Sequence, residues 1–136
     1  MMAKQTDINL RSQTIYQVFP RQHSEKRNFS GVIDDLDRIK DMGVDIIYLL
    51  PFHPIGEKDR KGSQGSPYSI YDFYQIHPDL GTLEDLKELV KEAHLRDMKV
   101  MMDIVINHTS RDSVLTQKHP EWFYKKTDGS FANRVG

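Results

Sequence analysis

Three apolar runs alternate with two stretches of helical periodicity along this chain. Thr14 to Phe19, TIYQVF, is rich in β-branched and aromatic residues and is stopped by Pro20, which predicts a first strand. Val32, Ile33, Leu36, Ile39 and Met42 then recur at helical spacing, with charged residues between them. Ser30 is placed to cap that helix and Gly43 to end it. Val44 to Leu50, VDIIYLL, predicts a second strand closed by Pro51. Thr82 and Asp85 stand at the two positions of a reciprocal cap, ahead of the apolar stripe Leu83, Leu86, Leu89, Val90 and Ala93. Lys99 to Ser110, KVMMDIVINHTS, holds the third run, and its near-continuous apolar stretch from Val100 to Ile106 predicts a parallel strand buried on both faces.

The order is strand, helix, strand, helix, strand, with each crossover long enough to return parallel to its predecessor. Such a βαβαβ unit is half of a doubly wound sheet or the start of a barrel. Pro20, Arg21 and Gln22 follow the first strand where a dinucleotide fold would carry its glycines, which favours the barrel and disfavours a stand-alone flavodoxin-like domain. Residues 1–13 are polar and aperiodic and read as a loose arm. The stretch from Arg21 to Phe29 reads as a connection, and Phe52 to Gly81 as an irregular loop of a length that compact domains rarely keep without using it.

The third run brings in the chemistry. Asp103 interrupts it, and a charge within a buried strand is costly unless something pairs with it. Asn107, His108 and Thr109 follow where the strand should end, the end at which parallel α/β folds place their ligands. Taken alone, these residues fit a salt bridge and an ordinary turn as well as a site.

Composition narrows the choice of partner. The 19 basic and 20 acidic residues are interspersed, so no nucleic-acid or membrane patch is expected and a small neutral solute is the easier ligand. With no cysteine, disulfides and thiolate metal sites are excluded. The N-terminus carries no apolar core of signal-peptide length, and no 18 consecutive residues are apolar, so a cytoplasmic protein is expected. His53, His77 and His119 lie beside prolines without spaced partners and, like His94, read as surface histidines; Trp122 and Phe123 read as packing of a following small domain, with a sugar-binding surface as the alternative.

Three features converge: a strand ending DIVINH, a long second loop holding GSPYSIYDFY, and HPDLGTLEDLKELVKEAH leading back to the sheet. With TIYQVFPR at the first strand and IIYLLPFHP at the second, they resemble the α-amylase family of glycoside hydrolases over about Ile15 to Phe123. The resemblance implies an N-terminal βαβαβ portion of a TIM (β/α)8 barrel, truncated after the third strand. Residues 14–109 would form the first three βα units, and 110–136 the start of a domain inserted after strand three.

It also implies roles. Asp103 matches an Asp that supports the floor of the active site by pairing with an Arg on the fourth strand. His108 matches a His that donates to a sugar hydroxymethyl oxygen, and Tyr68 an aromatic ring that stacks on the sugar at the cleavage subsite. Asn107 matches an oxygen ligand of a structural calcium in one branch, so calcium is a possible cofactor, and no organic cofactor is implied. Ser69 replaces an acidic residue of exo-acting relatives, which weakens an exo-glucosidase reading.

An α-glucan or maltooligosaccharide is the implied substrate, cleaved or transferred with retention. The nucleophile and acid/base carboxylates would lie on later strands, beyond Gly136, so the chain alone is expected to be inactive and, with open sheet edges, to self-associate. The alternative is a non-catalytic relative that keeps the barrel for binding or assembly; Asp103, Asn107, His108 and Tyr68 together argue against it.

Overall fold

The computed structural model describes residues 7–60 and 62–133. The beginning of the predicted N-terminal arm, residues 1–6, and the terminal Arg134-Val135-Gly136 lie outside the described residues. The remainder of the arm is more regular than its aperiodic sequence suggests. Ile8–Ser12 forms a 3-10 helix, with the Asp7 side chain accepting from the Asn9 amide.

Three strands, β1 (Ile15–Val18), β2 (Ile46–Leu49) and β3 (Lys99–Met102), form a parallel sheet in the order β1-β2-β3. Ile15 pairs with Ile46 and Ile46 with Lys99, and the ladders run in register to Val18, Leu49 and Met102. The chain clusters into two compact units: residues 1–52 with 76–104, and residues 53–75 with 105–136. The sheet belongs to the first.

Among the described residues five α-helices accompany the strands: α1 (Pro20–His23), α2 (Phe29–Ile33), α3 (Leu36–Asp41), α4 (Leu83–Leu95) and α5 (Val114–Lys118). The stretch expected as a plain connection therefore contains α1, and the single helix expected from Ser30 to Gly43 is two. Its cap is Asn28, whose side chain accepts from the Gly31 amide, rather than Ser30. At the break between α2 and α3, the Asp35 carboxylate accepts from Arg38 Nε at 2.7 Å and lies 2.9 Å from His23 Nε2. The apolar period runs through the break because α2 and α3 bury the same face. Gly43, at φ +83°, ends α3 in the left-handed conformation that a side chain would strain.

The capping box of α4 is present: Thr82 Oγ1 accepts from the Asp85 amide at 3.2 Å, and Asp85 Oδ2 accepts from the Thr82 amide at 2.7 Å. Leu89 and Ala93 are fully buried by this helix. They join Phe29, Val32, Leu36 and Ile39 from α2 and α3, and Val18, Ile47 and Leu49 from the sheet, in one core. Phe29 and Phe52 meet edge to face, with ring centroids 5.8 Å apart at 75°.

The third strand departs from expectation. It ends at Met102 and forms an edge of the sheet, so the apolar run beyond it is not buried on both faces: Ile104 is 55% and Ile106 92% exposed. No strand pairs with the outer side of β3 among the described residues, which is why the run lacks cover. No helix among the described residues is long and apolar enough to cross a membrane.

Candidate functional site

Asp103 stands one residue past β3, where its amide donates to the Leu49 carbonyl at 2.9 Å and so adds a last rung to the ladder. The half-buried carboxylate is thereby set at the carboxyl end of the sheet. Among the described residues it makes no ion pair.

Tyr68, Asn107 and His108 belong to the second unit. There the long loop is not irregular throughout. Its two arms pair through an antiparallel bridge between Ile55 and Ile70, with the Gly56 amide donating to Ser69 O at 3.0 Å and the Tyr71 amide to Pro54 O at 2.7 Å. Tyr68 sits at the end of this small ladder, in a turn closed by the Ser69 amide on Ser66 O at 3.0 Å. Tyr68 is 37% exposed. The Ser110 amide donates to Ile70 O at 2.9 Å, two residues after His108 in one segment and two after Tyr68 in the other. One hydrogen bond thus ties the two segments together beside both side chains.

Asn107 Nδ2 donates to His108 Nδ1 at 3.3 Å. A neutral imidazole that accepts at Nδ1 carries its proton on Nε2, so the exposed ring presents a donor, as recognition of a sugar oxygen requires.

The same contact bears on calcium. A calcium ion takes six to eight oxygen ligands, while no group of three or more His, Asp or Glu side chains that could hold a metal ion is present among the described residues. Asn107 turns its amide nitrogen toward His108. A calcium ion at Asn107 would take its remaining oxygen ligands from other groups.

Several residues about the site were not legible in the sequence. His53 is buried, at 7% exposure, rather than on the surface; its Nδ1 donates to Gln75 O at 2.9 Å and its ring leans on Phe73. Asp112 Oδ2 accepts from the Glu57 and Lys58 amides at 2.9 and 3.1 Å, and Ser113 Oγ donates to Tyr71 O at 2.8 Å. Burial pushes the Asp112 carboxyl up, but the Lys58 and Glu57 amides outweigh it and leave the group below its ordinary range. The one available signal was the Ser-Arg-Asp-Ser run after the strand, a composition typical of turns and caps. Trp122 is 64% exposed and not packed in a core; it stacks on His119 at 3.9 Å.

Residues 17–131 match the family model described as alpha amylase, catalytic domain. The chain belongs to the α-amylase family. Among solved structures, an α-amylase from Lactobacillus plantarum is 58% identical with a TM-score of 0.90, over 93% of this chain and 30% of that one. A noncanonic maltogenic α-amylase from Thermotoga neapolitana is 42% identical, also at 0.90, over 95% of this chain and 31% of that one. The alpha-1,4-glucan:maltose-1-phosphate maltosyltransferase of Picrophilus torridus is 37% identical over 129 residues, 85% of this chain and 20% of that protein. The α-amylase relatives thus include both hydrolases and transferases. The chain spans about a fifth of the length of the curated relatives it matches and under a third of these two solved ones. Its parallel sheet and helices are the N-terminal βαβαβ part of the α-amylase TIM barrel.

Proposed function

We propose that this chain is the N-terminal, sugar-contacting part of an enzyme that hydrolyses or transfers α-glucosidic linkages with retention, and that an α-glucan or maltooligosaccharide is its substrate. The observation that carries the reading is the Asn107–His108 contact, which leaves a proton on the exposed Nε2 in a segment tied to the loop of Tyr68. In this reading His108 donates to a sugar hydroxyl oxygen. Tyr68 offers its ring face to the C–H face of a pyranose, which buries apolar area while leaving the hydroxyls to polar partners. Asp103, at the end of β3, keeps the supporting role that the resemblance implies, paired with an Arg of a later strand.

Retention takes a nucleophilic carboxylate and an acid/base carboxyl about 5 Å apart. The resemblance assigns these to later barrel strands, so binding falls to this chain and bond cleavage to polypeptide that follows it. The test compares the 136-residue chain with a polypeptide extended through the later strands, on maltooligosaccharides. The chain alone is expected to give no turnover. In the extended polypeptide, His108→Ala should lower kcat/KM by roughly tenfold to a hundredfold, the cost of a hydrogen bond left unmade to a bound sugar. Unchanged kcat/KM in that variant would remove His108 from the site, and turnover by the short chain that vanishes on the same substitution would overturn the division of labour.

A further inference from the structure

The segment Ser110 to Val114 makes five hydrogen bonds to the loop that carries Tyr68, and they fall on both of its arms. On the outgoing arm, Asp112 Oδ2 accepts from the Glu57 and Lys58 amides. On the returning arm, the Ser110 amide donates to Ile70 O, and Ser113 Oγ and the Val114 amide both donate to Tyr71 O, at 2.8 and 3.0 Å. Gly56 lies so close beneath that a Cβ there would stand 2.2 Å from Asp112 Oδ1 and 2.3 Å from Ser110 Cβ. The arms and the segment are in direct contact with no room for a side chain between them. The same segment begins two residues after His108.

We propose that Asp112, assisted by Ser113, is a positioning residue for Tyr68: it clamps the base of the loop to the segment that carries His108, and so sets the aromatic ring relative to the imidazole. This rests on the sugar-contact reading given above. Asp112 and Ser113 reach the substrate only through the loop. An unclamped loop keeps its sequence and its exposed tyrosine but loses the placement of the ring, and a misplacement of about 1 Å can cost a hundredfold in rate.

The test is a double-mutant cycle on kcat/KM for a maltooligosaccharide, in the extended polypeptide, with Asp112→Ala and Tyr68→Ala. Tyr68→Ala alone is expected to lower kcat/KM on the order of a hundredfold and Asp112→Ala on the order of tenfold. Because the second acts through the first, the double variant should match Tyr68→Ala to within about twofold. A merely structural role would instead multiply the two losses, and that additive result overturns the proposal. No effect of Asp112→Ala beside a full effect of Tyr68→Ala also overturns it while leaving the sugar-contact reading intact. No effect of Tyr68→Ala overturns the sugar-contact reading itself. Should Asp112→Ala fail to fold by circular dichroism, Ser113→Ala, which removes the hydroxyl that donates to Tyr71 O and accepts from the Leu115 amide, enters the same cycle with the same outcomes.

Discussion

Replacing Phe29 by alanine tests the packing of the first unit. Phe29 is fully buried at the start of α2, Phe52 is 3% exposed, and their rings meet edge to face. Removing a buried phenyl group forfeits its transfer free energy and leaves a cavity that the surrounding side chains fill only in part, a total of about 3–5 kcal/mol. Of that, about 0.5–1.5 kcal/mol belongs to the ring pair. Against a typical domain stability of about 5–15 kcal/mol, this is about a fifth or more of the whole.

The assay is urea unfolding followed by far-ultraviolet circular dichroism, at two protein concentrations so that association does not enter. With an m-value near 2 kcal/mol per molar, the midpoint should fall by roughly 2 M. Phe52→Leu should then cost less in the Phe29→Ala background than in the parent, by about the ring-pair increment. A midpoint shift below about 0.5 M, or full additivity of the two substitutions, would refute the packing argument.

Thr82→Ala removes the acceptor of the Asp85 amide and should lower stability by about 1 kcal/mol, read by the same unfolding curve. Gly56→Ala forces a methyl group against Ser110 and Asp112 and should cost about 1–3 kcal/mol, measured as a drop in Tm, whereas substitution at Gly62, which has open space but φ +70°, should cost only the backbone strain. The Asp35 carboxyl is held below its ordinary range by hydrogen bonding to the Arg38 guanidinium and then to His23, against the opposing effect of burial. Its contribution is therefore present above the unfolded value near pH 3.9 and is lost as pH falls through the lower folded value; Asp35→Asn should flatten stability against pH below about pH 4, and an unchanged acid limb would contradict this. The outer sides of β1 and β3 carry Ile15, Met101 and Met102 at 53%, 40% and 42% exposure, so the chain should sediment as a concentration-dependent oligomer, and a single sharp monomer boundary would count against it.

What the sequence made legible was what local patterning decides. β1 and β2 lie within their predicted runs because β-branched and aromatic clusters closed by proline leave few other conformations, whereas β3 stops at Met102, short of the end of its run. The Thr82 box was readable because both partners of its reciprocal bonds are three residues apart. Tertiary contacts decided the rest. Asp35, beside the break between α2 and α3, meets His23, which is 12 residues away. Ser30 read as the cap of this helix, whereas the Asn28 side chain supplies it by accepting from the Gly31 amide. His53 looked like a loop histidine beside a proline, yet Gln75 satisfies it 22 residues later. At the site, Asp103, Asn107, His108 and Tyr68 stood out by motif, but Asp112 and Ser113 did not, because their partners are 55 and 42 residues away.

That last separation also has a temporal side. The Tyr71 carbonyl receives its hydroxyl partner, Ser113, from 42 residues downstream. On a ribosome adding roughly 5–20 residues per second, the loop emerges about 2–8 s before the segment that will hold it. During that interval its aromatic side chains and its unclamped backbone are open to proteases and chaperones, while β1 and β2 already have each other. The loop is thus the late-maturing part of a chain whose sheet begins to form early, and nascent chains stalled before Ser110 should be cut within residues 57–68 far more readily than those released beyond α5.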